Sequence, residues 1–130
     1  MIIDTSALIA IVRSEPEADE LVDAIEGAST RAISAASVVE ASLVLIARYG
    51  DSGDALLDRL LRTLDIDIAP VTESQTALAR DAALRFGRGR HPAALNFGDC
   101  FSYALAMERN EALLFVGDDF SRTDVLIHRS

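Results

Sequence analysis

Residues 1–12 read MIIDTSALIAIV, and the change of pattern at Asp4 decides the fold class. Ile2 and Ile3 are a short apolar run closed by a carboxylate, the signature of a buried strand, and residues 5–12 then read as a helix. The same alternation recurs along the chain. A helix carries Leu21, Val22 and Ile25 on one face and stops near Gly27, with Ser14 and Glu17 placed to form a capping box at its start. Residues 31–34 read as a second strand, and a long apolar helix runs from about Ser37 to Tyr49 before Gly50. Leu56, Leu57, Leu60, Leu61 and Leu64 form a helical stripe, and residues 65–71 a third strand with Ile66 and Ile68 in alternation. Thr72 and Gln75 pair as another capping box for a helix ending at Gly87. A Gly/Arg/His/Pro loop, residues 87–92, precedes a helix over about 97–109, and residues 112–116 close the series as a strand.

Short apolar strands alternating with helices imply βαβ units and a mainly parallel central sheet, and right-handed crossovers put helices on both of its faces. The expectation is one α/β domain over residues 1–130. Half of the residues are hydrophobic, enough for a core without staples, and the single cysteine, Cys100, has no partner for an internal disulfide. The opening residues carry no secretory signature, and no apolar run approaches the ~20 residues of a membrane span. A cytoplasmic protein with no membrane partner is expected. The formal charge of −9 argues against nucleic-acid binding unless carboxylates hold a cation and the basic residues are clustered.

Both conditions can be checked against the sequence. Sites in parallel sheets form at the carboxyl ends of strands. Asp4 ends the first strand, while Asp118 and Asp119 follow the last through Gly117. Glu40 opens the long helix on the face of Leu43, Val44 and Ala47, which reads as a buried stripe. Asp99 opens its helix beside Ser102, Tyr103 and Ala106. Each acid has an ordinary alternative: Asp4 as a helix cap, Glu40 as capping partner of Ser37, Asp99 as capping partner of Asn96, and Asp118 and Asp119 as turn residues. Four carboxylates on one rim repel unless a cation neutralises them, and hard oxygen ligands suit Mg²⁺, with Mn²⁺ as a substitute. Such an ion activates water and stabilises the charge of a phosphodiester in hydrolysis.

IIDTSAL with Asp4, SVVEASLVL with Glu40, GRGRHPAALNFGDCFSYALA with Asp99 and LLFVGDDFSRTDV occur in this order along the whole chain. Together they resemble a PIN-domain ribonuclease and, within that family, the VapC-type toxins of bacterial toxin–antitoxin pairs. The resemblance implies a PIN-like three-layer α/β/α domain and Mg²⁺-dependent endonucleolytic cleavage of RNA. It also implies inhibition by a tightly bound VapB-like antitoxin, a homodimer, and a larger hetero-oligomer with that antitoxin. By position, Asp4, Glu40 and Asp99 match the family's first three acids. The family often has Gly-Asn-Asp-Phe where this chain has Gly117-Asp118-Asp119-Phe120, so Asp119 matches the fourth acid and Asp118 is an extra acid able to share the role. Ser6 resembles the hydroxyl that flanks the first acid and would orient a metal-bound water.

Arg85, Arg88, Arg90 and His91 gather before the Asp99 helix, where they would grip RNA phosphates or else belong to an ordinary solvated loop. Glu15, Glu17, Asp19, Glu20, Asp23 and Glu26 crowd one helix, either as a solvated face or as a dock for a basic antitoxin segment. Two further functions fit parts of the pattern. An aspartate-nucleophile phosphatase would use Asp4 but wants a second aspartate where Ser6 stands. A non-catalytic PIN-fold module binding RNA or protein would not need all four acids.

Overall fold

The computed structural model describes residues 1–128. Strand β1 (Ile2–Ile3) leads into helices α1 (Thr5–Val12) and α2 (Ala18–Gly27). Strand β2 (Ala32–Ser34) leads into α3 (Ala35–Tyr49) and α4 (Asp51–Thr63), and β3 (Asp67–Ala69) into α5 (Glu73–Phe86) and α6 (Phe97–Arg109). Strand β4 (Leu113–Leu114) and a short 3-10 turn (Phe120–Arg122) follow. The strands are ordered β3-β2-β1-β4 and every pairing is parallel.

The two-residue period of the strands builds the three layers. Ile2, Ala32, Ala69 and Leu113 face one side, where they pack with Ala82, Tyr103 and Leu105 of α5 and α6. Ile3, Ile33 and Leu114 face the other, against Leu8, Ile25, Leu45 and Leu57 of α1 to α4. Ile2 and Ile3 are both fully buried, so adjacent residues of one strand serve separate cores. Chain order runs outward from β1 to β3 and then returns to the far side of β1 as β4. The direction of winding therefore reverses between β1 and β4, and sites in open α/β sheets form at the carboxyl ends of such strands. Backbone bonds from Ile2 to the Ala112 carbonyl (2.9 Å) and from Asp4 to the Leu114 carbonyl (3.0 Å) fix that junction.

Several local expectations change. Ser14 does not cap α2: it adopts a left-handed φ of 53° after α1, and Glu17 precedes α2 without a side-chain cap. Thr72 does cap α5 through the Gln75 amide (3.2 Å), but the Gln75 side chain reaches across to Glu108 (3.1 Å) instead of closing a capping box. Ile66 is buried ahead of β3, while Ile68 within it is exposed because β3 is an edge strand. The largest difference concerns α3. It begins at Ala35, capped by Ser34, and its buried face is Ser37, Ala41 and Leu45. Leu43, Val44 and Ala47, expected to be buried with Glu40, are exposed.

Candidate active site

Asp4 stands at the reversal point, directly after β1, and is only 4% exposed. It is both a helix cap and a heavily partnered carboxylate. Its Oδ2 accepts from the Ser6 amide (3.0 Å) and the Ser6 hydroxyl (2.7 Å), and its Oδ1 accepts from the Ser102 hydroxyl of α6 (2.5 Å). Ser6 Oγ in turn accepts from the Val116 amide (3.0 Å), so one hydroxyl ties the end of β1 to the exit of β4. Since the Ser102 proton is given to Asp4, the 3.2 Å contact between Ser102 and Ser37 has Ser37 as donor. A bond from the Thr5 hydroxyl to the Ser37 carbonyl (3.1 Å) completes a buried polar seam from α1 through α3 to α6.

Asp99 lies 8% exposed in the first turn of α6. Asn96 and Asp99 form a reciprocal capping box, each accepting from the other's amide at 2.9 and 3.0 Å. The capping role uses only Asp99 Oδ2. Burial pushes the Asp99 carboxyl up to about 7; the Asn96 amide opposes this, and the charges of Asp4, Asp119 and Glu40 reinforce it. Asp119, on the exposed loop after β4, is among the acids whose charge bears on Asp99. The Asp118 carbonyl accepts from Ser121 (2.7 Å) in the same turn.

Glu40 is not a capping residue, because α3 begins five residues before it. Its carboxylate lies against Gly98, where a Cβ would collide with it. The glycine at 98 therefore admits Glu40 to the neighbourhood of Asp99. The four acids come from β1, α3, α6 and the loop after β4, and among the described residues none of them has a salt-bridge partner.

This donor set fits a hard divalent cation: it is all oxygen, anionic and free of a neutralising guanidinium. Among the described residues no group of three or more His, Cys, Asp or Glu side chains stands close enough to hold a metal ion. Asp4 has both oxygens hydrogen-bonded, Asp99 turns one oxygen back to Asn96, and Asp119 is exposed.

The basic residues divide. Arg85 does not stand free for phosphate: its guanidinium is bound by Asp81 (2.9 Å) and Asp124 (2.8 Å), and Tyr103 donates to the same Asp124 (2.7 Å). Arg90 Nε donates to the Leu84 carbonyl (3.0 Å). His91 Nδ1 accepts from the Ala93 amide (3.0 Å), and its ring meets Phe86 edge-on at 5.1 Å. Arg88 is exposed, with no ion pair among the described residues. Sequence reasoning missed the service of Ser102 and Ser37 to Asp4 and the role of Gly98. The only signal was the three-residue spacing of Asp99 and Ser102 on one helical face.

The sequence matches the family model for the PIN domain over residues 1–126. The chain belongs to the PIN-domain family. This PIN domain is 49% identical over 126 residues to Ribonuclease VapC28 of Mycobacterium tuberculosis, covering 96% of this chain and 95% of that protein. It is 45% identical over 125 residues to Ribonuclease VapC of Mycolicibacterium smegmatis, covering 96% and 97%. The PIN domain also superposes on the sarcin–ricin-loop-cleaving toxin VapC20 of M. tuberculosis, with a TM-score of 0.79 at 16% identity over 99% of this chain and 98% of that one. A toxin–antitoxin complex from Klebsiella pneumoniae gives 0.72 at 17% identity over 98% and 95%. At such identities these two structures establish the shared fold.

Proposed function

We propose that this PIN domain is a Mg²⁺-dependent endoribonuclease and the toxin of a toxin–antitoxin pair. The observation that supports the chemistry is that the charges of Asp4, Asp119 and Glu40 all bear on Asp99, and none of the four has a salt-bridge partner among the described residues. Asp4, Asp99 and Asp119 would hold the ion, and Glu40, which lies against Gly98, would complete the catalytic set. Mg²⁺ bound there, or Mn²⁺ in its place, would supply an acidified water and neutralise charge on the phosphoryl oxygen. Ser6 and Ser102 fix the direction of the Asp4 oxygens that would face the ion. Relatives named as VapC ribonucleases at 45–49% identity support RNA as the substrate.

Two assemblies follow from the surface. Val39, Leu43, Val44 and Ile46 expose apolar side chains along α3, with Leu43 at 64%. This face supports a homodimer, since isolated exposed side chains are common but an aligned set marks an interface. Solved toxin–antitoxin complexes of the same fold support an antitoxin as second partner. The acidic residues of α2 suit a basic segment of it, and antitoxin bound to the dimer would form a larger hetero-oligomer.

RNA cleavage by purified protein tests the reading. Wild type should cut RNA with Mg²⁺ and stop in EDTA, and Asp4→Asn or Asp99→Asn should abolish cleavage with the fold retained. Equal cleavage by either variant, free of contaminating nuclease, would overturn the assignment. Light scattering of Leu43→Asp should show monomers where wild type forms dimers.

A further inference from the structure

Between α5 and the first turns of α6 lies an open groove of about 620 Å³, within the ~300–1,000 Å³ typical of small-ligand sites. We propose that this groove is a nucleotide subsite for the RNA strand being cut, with the Phe97 ring taking a base and Arg80 and Arg88 the neighbouring phosphate. The inference rests on the ribonuclease reading and deepens it by adding a place where substrate is held.

Three observations support it. The groove has a buried apolar floor, including Ala79, Leu95 and Cys100, and Phe97 on its wall is 81% exposed. Phe97 and Phe101 meet edge-to-face with centroids 4.9 Å apart, which steadies the exposed ring and leaves it available to stack. Aromatic side chains take unpaired bases in this way in single-stranded RNA recognition.

The groove is also a basic place in an acidic protein. Arg80 and Arg88 line it, both are exposed, and neither makes an ion pair or side-chain hydrogen bond among the described residues. The neighbouring Arg85 and Arg90 are already engaged. A polyanion is the complementary occupant of that pair, and single-stranded RNA supplies one phosphate charge per nucleotide.

Finally, the groove borders the end of α6 that carries Asp99. Asn96 lines it and is the capping-box partner of Asp99. Phe97 and Asp99 are two positions apart and so lie on nearly opposite sides of α6. A strand anchored on Phe97 reaches the carboxylates by crossing the amino-terminal end of the helix. The bases gripping RNA are then Arg80 and Arg88, not the whole loop cluster.

Anisotropy with a short fluorescent single-stranded RNA in EDTA, where no cleavage occurs, tests the subsite. Phe97→Ala should weaken binding about tenfold, as expected for loss of one stacked base. Substituting abasic residues into the RNA should weaken wild type by a similar factor and leave Phe97→Ala little changed. Arg80→Gln and Arg88→Gln should each reduce the magnitude of the log affinity–log salt slope by about 0.7. Unchanged affinity and abasic sensitivity in Phe97→Ala would overturn the proposal. So would an effect that light scattering attributes wholly to loss of a dimer, because the groove would then be a protein interface. Cleavage of the same RNA by wild type with Mg²⁺ separates the two readings. No cleavage removes the ribonuclease reading, whereas cleavage with full binding by Phe97→Ala removes only the subsite.

Discussion

The Ser102 hydroxyl donates to Asp4 Oδ1 at 2.5 Å, joining the interior of α6 to the end of β1 across 98 residues of sequence. The bond is fully buried and sets which way the first acid of the site faces. A hydrogen bond to a charged group contributes more than a neutral one, about 1.5–3 kcal/mol, so its removal affects both fold and site.

Ser102→Ala should therefore raise the Mg²⁺ concentration needed for half-maximal cleavage by about 10- to 100-fold, the usual effect of losing a residue that orients a metal ligand. The cleavage rate measured against Mg²⁺ concentration reads this directly. A variant with wild-type Mg²⁺ dependence would show that Asp4 needs no such support.

Gly98→Ala should separate stability from activity. Alanine in place of glycine favours a helix by roughly 1 kcal/mol, while its methyl group occupies the place of the Glu40 carboxylate. Because Glu40 ends a flexible side chain, it swings away at little cost to the fold. The expected outcome is an equal or higher melting temperature with cleavage reduced tenfold or more, about 1.4 kcal/mol of lost transition-state stabilisation per factor of ten. A variant with both properties unchanged would remove Glu40 from the site.

The Asp99 carboxyl gives the metal-free protein an unusual response to pH. Its value is about 7 in the folded chain, against about 3.9 for an unfolded aspartate. Between those values the folded state holds a proton that the unfolded state has lost. The associated stability is complete below about pH 4 and disappears as pH rises through 7. In EDTA the melting temperature should fall between pH 5 and pH 8, and Asp99→Asn should flatten that slope. Mg²⁺ should stabilise wild type more at pH 8 than at pH 6, because the ion competes with the proton. Thermal unfolding across pH with and without Mg²⁺ checks all three; an equal slope in Asp99→Asn would assign the titration elsewhere.

Arg85→Gln should behave as a structural change. Its partners Asp81 and Asp124 join α5 to the carboxyl-terminal segment, with Tyr103 as a further donor to Asp124. A lower melting temperature is expected, with the salt dependence of RNA binding unaltered. A slope reduced as in a phosphate-contact variant would return Arg85 to the substrate surface.

The order of elements was readable because strands, caps and helical stripes depend on neighbours a few residues away. Ile2-Ile3-Asp4, the leucines of α4 and the pair Asn96 and Asp99 all announce local structure of this kind. The pattern failed at α3. Its sequence, AASVVEASLVLIARY, is apolar on more than one face, so periodicity alone chose Leu43, Val44 and Ala47 as the buried set. Packing against α4 and the sheet buried Ala41 and Leu45 instead. The same choice left an apolar surface on α3 that no spacing argument had identified.

By itself, then, the sequence determined an alternating α/β chain, its family, and the acids Asp4, Glu40, Asp99 and Asp119 as candidates. Only the tertiary structure decided which hydroxyls orient Asp4, how Glu40 reaches Gly98, and that Arg85 is committed to Asp81 and Asp124. The physical reason is range. Backbone propensity and helical period act over a turn or two, whereas a bond between residues 98 positions apart exists only after the sheet brings β1 and α6 together.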